Sequence, residues 1–305
     1  MKAFTALILI SLVVSLSIFA LPVKAQEPLN LTIKPDGSVE PSTDLLERNG
    51  TIYTFKGDIF GSIMVQKSGI TIDGAGHTLQ GRKVVDERGV YLVGPDRSHA
   101  SCRRCVVKNL KISNFYEGIY VLGSSNSSII GNYFDNAGIH LIGSADYAGD
   151  LITQNIFKDA GIFVDYNPYG KDVITGNNFF NGAIFVDLSD APIVDRNYWS
   201  NYTAKYPDAK ELNGSGIWDT PYVDDDNRGT NVSIDYHPLV NHITDFELSV
   251  FSNPITTPTP SGTSPTPTQT ISPALLWAIL IVLPVAVLVV VMILKRKSLF
   301  KRIKW

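Results

Sequence analysis

Two carboxylates recur at the same place in a short repeated run of this sequence. The tetrapeptide Ile-Phe-Val-Asp occurs at 162–165 and again at 184–187, so Asp165 and Asp187 end identical runs. If the two runs form adjacent strands of one sheet, the carboxylates lie about 4.8 Å apart. A carboxylate pair at about 5 Å can perform retaining glycoside hydrolysis. Two like charges on a solvated surface are the plainer interpretation of the same pattern.

Rings precede these carboxylates at the same spacing. Side chains alternate between the two faces of a strand, so the middle residue of each apolar triplet is expected to face outward. The outward residues predicted in this way are Tyr91, Tyr120, His140, Phe163 and Phe185. Flat aromatic faces beside carboxylates could bind sugar rings, which makes the last four of these the predicted ligand-binding residues. The rings could instead only stabilise the structure, or be buried under the segment that follows.

One segment follows the rhythm of a calcium-binding loop. Loops of the EF-hand type place oxygen ligands at alternate positions and close with a glutamate. The ligands here would be Glu211, Asn213, Ser215 and Asp219, with Tyr222 where the closing glutamate is expected. The segment predicts either a weak Ca²⁺ site or an acidic turn rich in glycine.

Cysteine, histidine and methionine give little support for a soft-metal site. Cys102 and Cys105 are the only cysteines, and two cysteines this close in an exported protein predict a disulfide. A zinc site would need two further ligands, and only His99 is near in sequence. Copper prefers Cys, Met and His, but the histidines do not cluster and Met64 is the only methionine within 26–272.

A repeat with a period in the low twenties must position these side chains. Its most regular residues are the asparagines Asn109, Asn132, Asn155, Asn177 and Asn197 and the glycines Gly118, Gly138, Gly161 and Gly182. Short β-branched and aromatic runs between turn residues favour strands over helices. The repeat therefore predicts an all-β fold, a right-handed parallel β-helix with coils of about 22 residues. We expect the asparagines to take left-handed backbone angles at one turn and to bond one another in a ladder.

Several motifs resemble a known family. They are DGAGHTLQG at 73–81, repeated Gly-Asn-aromatic turns, and the closing runs NYWSNY, NGSGIWDTPY and HPLV. These are similar to the NosD-type periplasmic copper-binding β-helix proteins of the pectin-lyase-like superfamily, over about Ile33 to Val240. The resemblance implies the β-helix fold and, through the family name, copper delivery to nitrous oxide reductase. Many proteins with this pattern are only secreted β-helix proteins.

Both ends of the chain predict targeting and anchoring segments. Residues 1–25 read as a signal peptide, for which an uncleaved membrane anchor is the alternative. Residues 256–272 form a Thr/Pro-rich stalk, because proline excludes helix and central strand. Residues 273–294 are long and apolar enough for a transmembrane helix, and the basic tail 295–305 is expected in the cytoplasm.

The ectodomain between these segments divides into three parts. We predict an N-terminal cap at 26–60, the coils at 61–200 and a non-repeating segment at 201–255. Acidic residues outnumber basic ones there, which is the wrong sign for nucleic acid. Six Asn-X-Ser/Thr sequons suit an exported glycoprotein.

The predicted function is a non-enzymatic, membrane-tethered surface β-helix that binds a polysaccharide or a surface protein. One competing hypothesis is a metal-delivery accessory protein of the NosD type. The other is a degenerate polysaccharide lyase or glycoside hydrolase. Few outward basic residues follow Lys111 in the repeat, which counts against a lyase because proton abstraction would need such a residue.

Overall fold

Short strands are the main regular elements in the described part of the chain. The computed structural model describes residues 27–93, 102–123, 125–143, 149–165, 172–187, 192–224 and 233–244. The predicted signal peptide, stalk, membrane segment and tail, at 1–25, 256–272, 273–294 and 295–305, lie outside these residues. Among the described residues there is no helix with the length and apolar character that a membrane span requires.

Three parallel sheets run along a stack of coils, and each coil adds one strand to each sheet in turn. Sheet 1 contains β4 (Ile52–Phe55), β6 (Thr71–Asp73), β9 (Val106–Lys108), β12 (Ser128–Ile130), β15 (Leu151–Thr153), β18 (Val173–Thr175) and β21 (Ile193–Asp195). Sheet 2 contains β7 (Thr78–Gln80), β10 (Lys111–Ser113), β13 (Tyr133–Asp135), β16 (Ile156–Lys158), β19 (Asn178–Phe180) and β22 (Tyr198–Trp199). Sheet 3 contains β5 (Ile59–Val65), β8 (Arg88–Leu92), β11 (Glu117–Leu122), β14 (Ile139–Ile142), β17 (Ile162–Asp165) and β20 (Ile184–Asp187). The expected all-β class and the parallel stacking of a β-helix are confirmed.

Strand alternation decides which side chains form the core. The inward residues of the triplets in three successive coils are each at most 2 % exposed: Ile139, Leu141, Ile162, Val164, Ile184 and Val186. Their neighbours on β14, β17 and β20 are half-buried and face outward. Because buried apolar area stabilises the fold by about 25 cal/mol per Å², this continuous interior is the main force that holds successive coils together.

A ladder of asparagine side chains lines the turn between sheets 1 and 2. Asn132, Asn155, Asn177 and Asn197 are at most 1 % exposed. At each step the backbone N–H and the Nδ2 of one asparagine donate to Oδ1 of the next, at 2.9–3.1 Å. The ladder therefore satisfies buried backbone donors at a turn where no strand pairing can reach them.

The left-handed residue of this turn comes one position before the ladder, which differs from the prediction. Asn109, Gly131 and Gly176 have φ values of 53°, 63° and 63°. Leu110, not Asn109, occupies the ladder position and donates its N–H to Asn132 Oδ1 at 3.1 Å. The predicted alignment of Asn109 with the ladder asparagines was therefore wrong by one residue. The ladder side chain must point into the coil, and the left-handed residue comes just before it.

A stack of aromatic rings runs through the interior beside the ladder. Phe134, Phe157, Phe179, Trp199 and Tyr222 follow one another with centroid separations of 4.8, 4.7, 4.4 and 4.1 Å. Successive ring planes are within 9° of parallel. The first four rings come two residues after a ladder asparagine, so the ladder and the stack are parts of one repeated unit.

Non-repeating segments cover both ends of the coil stack. They are β1 (Leu29–Ile33), β2 (Val39–Glu40) and β3 (Leu46–Asn49) at one end, and α1 (Tyr202–Lys205), β23 (Tyr222–Asp224) and β24 (Ser233–Asp235) at the other. β1 pairs in parallel with β5, and β3 pairs antiparallel with β4. β24 extends sheet 1 next to β21 and pairs antiparallel with β23. These segments hide strand edges that would otherwise be free to pair with another chain.

Candidate binding face on sheet 3

The outer face of sheet 3 carries one ring from each of five coils in direct register. The strand pairing aligns Tyr91 with Tyr120, then His140, Phe163 and Phe185. We call these five residues the outer row. Their first four rings meet edge to face at 5.1, 5.1 and 4.8 Å between centroids. Phe163 and Phe185 are half-buried. The described part of the non-repeating segment reaches the last coil, where Asp224 accepts the Ile184 N–H.

A half-buried ion network holds the first half of the outer row. Glu117 accepts a hydrogen bond from Arg88 Nε at 2.7 Å through one oxygen, and its other oxygen lies 2.5 Å from His140 Nδ1. The Arg88 guanidinium sits 3.8 Å from the Tyr120 ring centroid, a cation–π distance. Tyr120 is only 8 % exposed as a result. Tyr120 is thus covered, whereas the other four rings of the outer row are half-buried.

Electrostatics in this network favour the charged form of Glu117. Burial pushes the pKa of the Glu117 carboxyl upward, but hydrogen bonds with His140 and Arg88 outweigh it and lower the pKa below the usual value. Burial likewise opposes the charge on Arg88, yet its pKa is raised because Glu117 accepts from it. Burial also raises the pKa of the Tyr120 phenol. Arg88 and Glu117 therefore form an ion pair in which folding favours the charged form of both groups.

We expect Glu117→Gln to lower the free energy of unfolding at pH 7 by about 2 kcal/mol, the usual net contribution of a hydrogen bond to a charged group. Because folding lowers the pKa of Glu117, its contribution is complete above the ordinary carboxyl pKa of about 4.3. It disappears as the pH falls from there through the lowered pKa. Urea denaturation from pH 3 to pH 7 should therefore show that the difference in free energy of unfolding between the wild type and Glu117→Gln decreases at low pH. The control is Glu47→Gln, since Glu47 pairs with Lys56 on the open surface, and a difference independent of pH would contradict the assignment.

His140 leaves one polar atom without a partner inside this network. Its Nε2 is buried and accepts or donates no hydrogen bond. When Nδ1 carries the proton and donates to Glu117, Nε2 keeps its lone pair, and the imidazole ring lies between the rings of Tyr120 and Phe163. A histidine whose Nδ1 is held by a carboxylate is the usual arrangement of a metal-ligating histidine. His237, whose Nδ1 lies 2.6 Å from Asp195 Oδ1, shares this arrangement, and His140 differs from it in having a buried Nε2.

Arg88 and Glu117 were not found from the sequence. Each stands two residues before the inward valine or isoleucine of its triplet, in Arg88-Gly89-Val90 and Glu117-Gly118-Ile119, and strand pairing aligns them. Opposite charges before a glycine at equivalent repeat positions were the available signal.

The predicted carboxylate pair also lies on this face. Asp165 and Asp187 are aligned across β17 and β20, two residues beyond Phe163 and Phe185. Both are half-buried. Because they occupy equivalent places in successive coils, they border the exposed end of the outer row as two similar acceptors.

The predicted calcium ligands lie in a hairpin at the C-terminal end, away from the outer row. Glu211 Oε1 accepts the Gly216 N–H at 2.8 Å, and Asp219 Oδ1 accepts the Lys210 N–H at 3.0 Å. The latter bond lowers the pKa of Asp219. Ser215 Oγ accepts from its own turn, and Asn213 has a left-handed φ of 52°. These oxygens cap the hairpin, and the calcium site stays a prediction.

The two cysteines are bonded to each other in the structure. Cys102 and Cys105 are buried, and both lie beside the carbonyl of Lys67. The disulfide removes both thiols from metal binding.

Copper would need several nitrogen or sulfur ligands at one place. His77, His140 and His237 each face one carboxylate, of Asp58, Glu117 and Asp195 respectively. Across the described ranges, no three side chains of His, Cys, Asp or Glu converge as a metal-binding group. The described residues do not by themselves fit a copper centre.

The coils, the asparagine ladder and the outer row define a parallel β-helix repeat protein. The model of one family, described as periplasmic copper-binding protein (NosD), matches residues 52–228, which is more than half of the chain. The chain therefore belongs to the NosD family, as the sequence motifs indicated. The match begins at β4, the first strand of sheet 1. No curated protein and no solved structure matches the chain.

Proposed function

We propose that this protein is an extracytoplasmic β-helix that binds a polysaccharide along the outer row without converting it. The observation that carries the proposal is the register of the row, which presents one ring per coil on a single face. Phe163 and Phe185 offer half-exposed apolar faces, while Asp165 and Asp187 offer acceptors beside them. Apolar platforms with a few fixed polar groups are the usual composition of ligand sites. The periplasmic description of the family supports the location.

Binding is favoured over catalysis because the two carboxylates are equivalent. Acid–base chemistry needs two groups whose surroundings separate their roles, whereas Asp165 and Asp187 occupy the same place in consecutive coils. Arg88, whose guanidinium lies over the Tyr120 ring, is held by Glu117. Glycoside hydrolysis or elimination at this face stays a hypothesis.

The test is a glycan array probed with the full-length protein in detergent, with and without calcium. For any glycan that binds, we expect Phe163→Ala to raise the dissociation constant about tenfold, equivalent to about 1.4 kcal/mol. The matched control is Phe180→Ala, which removes a half-buried ring from the outer face of sheet 2. A blank array, or equal losses in the two variants, would count against the outer row.

We also propose that the protein is held on the membrane by residues 273–294, with the stalk 256–272 between anchor and β-helix. Support comes from the apolar length of that segment and the basic residues that follow it. A stop codon in place of Ser272 should release the protein into the medium. Retention of the truncated protein on membranes would defeat this assignment.

Copper binding is the second candidate function. Family membership favours it, and so does His140, with its carboxylate-held Nδ1 and its unpartnered Nε2. Anaerobic Cu(I) and aerobic Cu(II) should be titrated into the full-length protein by calorimetry. Stoichiometric binding that His140→Gln abolishes would replace polysaccharide binding as the leading function, and binding that this variant leaves intact would place the metal elsewhere.

A further inference from the structure

The outer row ends in a cavity at the junction with the C-terminal cap. The cavity has a volume of about 440 Å³, within the range of about 300–1,000 Å³ typical of small-molecule sites. We infer that it binds the end unit of the polysaccharide, and that this unit is a sugar without negative charge, an amino sugar above all. The inference rests on the proposed function, since the cavity continues the outer row.

Three parts of the fold meet at this cavity. Asp159 and Asn181 come from the turns between sheets 2 and 3, and Phe185 from the outer row itself. Lys205 of α1 and Asp224 of β23 come from the C-terminal cap. The last ring of the row is therefore also a wall of the cavity, so one ligand chain can occupy both.

Hydrogen bonds fix the polar groups of the cavity before any ligand arrives. Asn181 Nδ2 donates to Asp159 Oδ1 at 2.6 Å, and Asp224 Oδ2 accepts the Ile184 N–H at 2.7 Å. On the cap side, Lys205 Nζ donates to the Val223 carbonyl at 2.5 Å. Such preorganisation lowers the entropic cost of binding.

The lining combines an apolar ring with closely spaced donors and acceptors. The Phe185 ring can cover the C–H face of a sugar, while carboxylate and amide groups can bond its hydroxyls. Asp159 and Asp224 keep acceptor capacity beyond the bonds they already make, because each carboxylate has two oxygens, so hydroxyl groups of a ligand can still bond to them. A ring rich in hydroxyls therefore matches the lining.

The charges around the cavity select against acidic sugars. Asp159 and Asp224 line it, and Asp165 and Asp187 stand on the adjoining outer face of β17 and β20. The lining includes one cation, Lys205, among the described residues. The carboxylates of Asp159 and Asp165 alone would repel a uronate or a sulfated sugar and attract an ammonium group.

The test compares three oligosaccharides of equal length by calorimetry on the full-length protein in detergent: a chitosan, a cello-oligosaccharide and an oligogalacturonate. We expect affinity to fall in that order. Asp159→Asn should reduce the advantage of chitosan over the cello-oligosaccharide about fivefold to tenfold, as expected for loss of one favourable charge contact. Asp44→Asn, which removes an equal charge from the exposed N-terminal cap, should leave the order and the ratios unchanged.

Each other result overturns the inference. If oligogalacturonate binds as tightly as chitosan, the cavity does not select by charge. If Asp159→Asn leaves the ratio of chitosan to cello-oligosaccharide affinity unchanged, the cavity is not part of the binding site. If Phe163→Ala still weakens binding in either case, the outer row remains the binding face and only the end subsite fails. If none of the three probes binds, the inference fails, and a blank glycan array would then overturn the proposed function too.

Discussion

Replacing Asp235 with asparagine is expected to lower the free energy of unfolding by about 2–4 kcal/mol, since it leaves at least two hydrogen-bond donors unpaired. Asp235 is 1 % exposed and ends the asparagine ladder. Its Oδ2 accepts the N–H and Nδ2 of Asn197 at 2.8 and 3.2 Å and Nε1 of Trp199 at 3.1 Å. Its Oδ1 accepts the N–H groups of Arg196 and His237. An amide has one acceptor oxygen, so either orientation of the asparagine turns an NH₂ group toward other donors.

The loss in free energy of unfolding is smaller than the sum of the broken hydrogen bonds, because the mutation also removes a buried charge. Burial raises the pKa of Asp235, although the donors of Asn197 and Trp199 oppose the rise. A neutral side chain avoids that desolvation cost. The net effect is therefore the cost of unpaired donors, reduced by the relief of desolvation.

Urea denaturation followed by tryptophan fluorescence would measure this change at Trp199, which contacts Asp235 directly. Asp135→Asn is the control, because Asp135 pairs with Lys158 at the surface at 3.4 Å, and such pairs contribute about 0–1 kcal/mol. Equal midpoints for the wild type and Asp235→Asn would show that the ladder does not need its carboxylate end.

The repeat predicted the fold because each coil of a solenoid is specified by the same short local pattern. Each coil uses the same two-residue alternation, so the inward positions of β14, β17 and β20 followed from the triplets alone. The ladder was misplaced by one residue at Asn109 because the sequence shows which residues recur but not which of two turn residues points inward. Only the position of Leu110 in the structure separates them.

The ends of the stack could not be predicted in the same way. Asp235 lies 38 residues after Asn197 in a segment without the repeat, so nothing in the spacing announces that it completes the ladder. The cavity beside Phe185 has the same origin, since Lys205 and Asp224 reach it only through the packing of the cap. Long-range placement of this kind depends on tertiary packing that single-sequence patterns do not carry.

The sequence predicted the register of the outer row but not the side chains that cover its rings. Parity placed Phe163 and Phe185 outward, whereas the covering of Tyr120 depends on a guanidinium from the preceding coil. Arg88 lies 29 residues before its partner Glu117. The repeat therefore indicates where a binding face lies, while contacts between coils decide which of its rings a ligand can reach.

Phe157→Ala is expected to lower the free energy of unfolding by about 3–5 kcal/mol, the usual cost of emptying a fully buried phenylalanine site. Phe157 is 0 % exposed and stacks between Phe134 and Phe179, at 4.8 and 4.7 Å between centroids. Each aromatic pair adds about 0.5–1.5 kcal/mol beyond its buried area, and the variant breaks two pairs at once. Strand pairing on both sides of β16 keeps the coils from collapsing into the space, so the cost should lie toward the upper end.

Chemical denaturation at 25 °C measures this loss, and the neighbouring residue on the same strand supplies its control. Lys158 faces outward and its bridge to Asp135 is largely exposed, so Lys158→Ala should cost less than about 1 kcal/mol. The two variants change adjacent positions of one three-residue strand and differ only in the face they alter. If Phe157→Ala were as stable as Lys158→Ala, the ring stack would not be the centre of this fold, and cohesion between coils would have to come from the ladder and the aliphatic core.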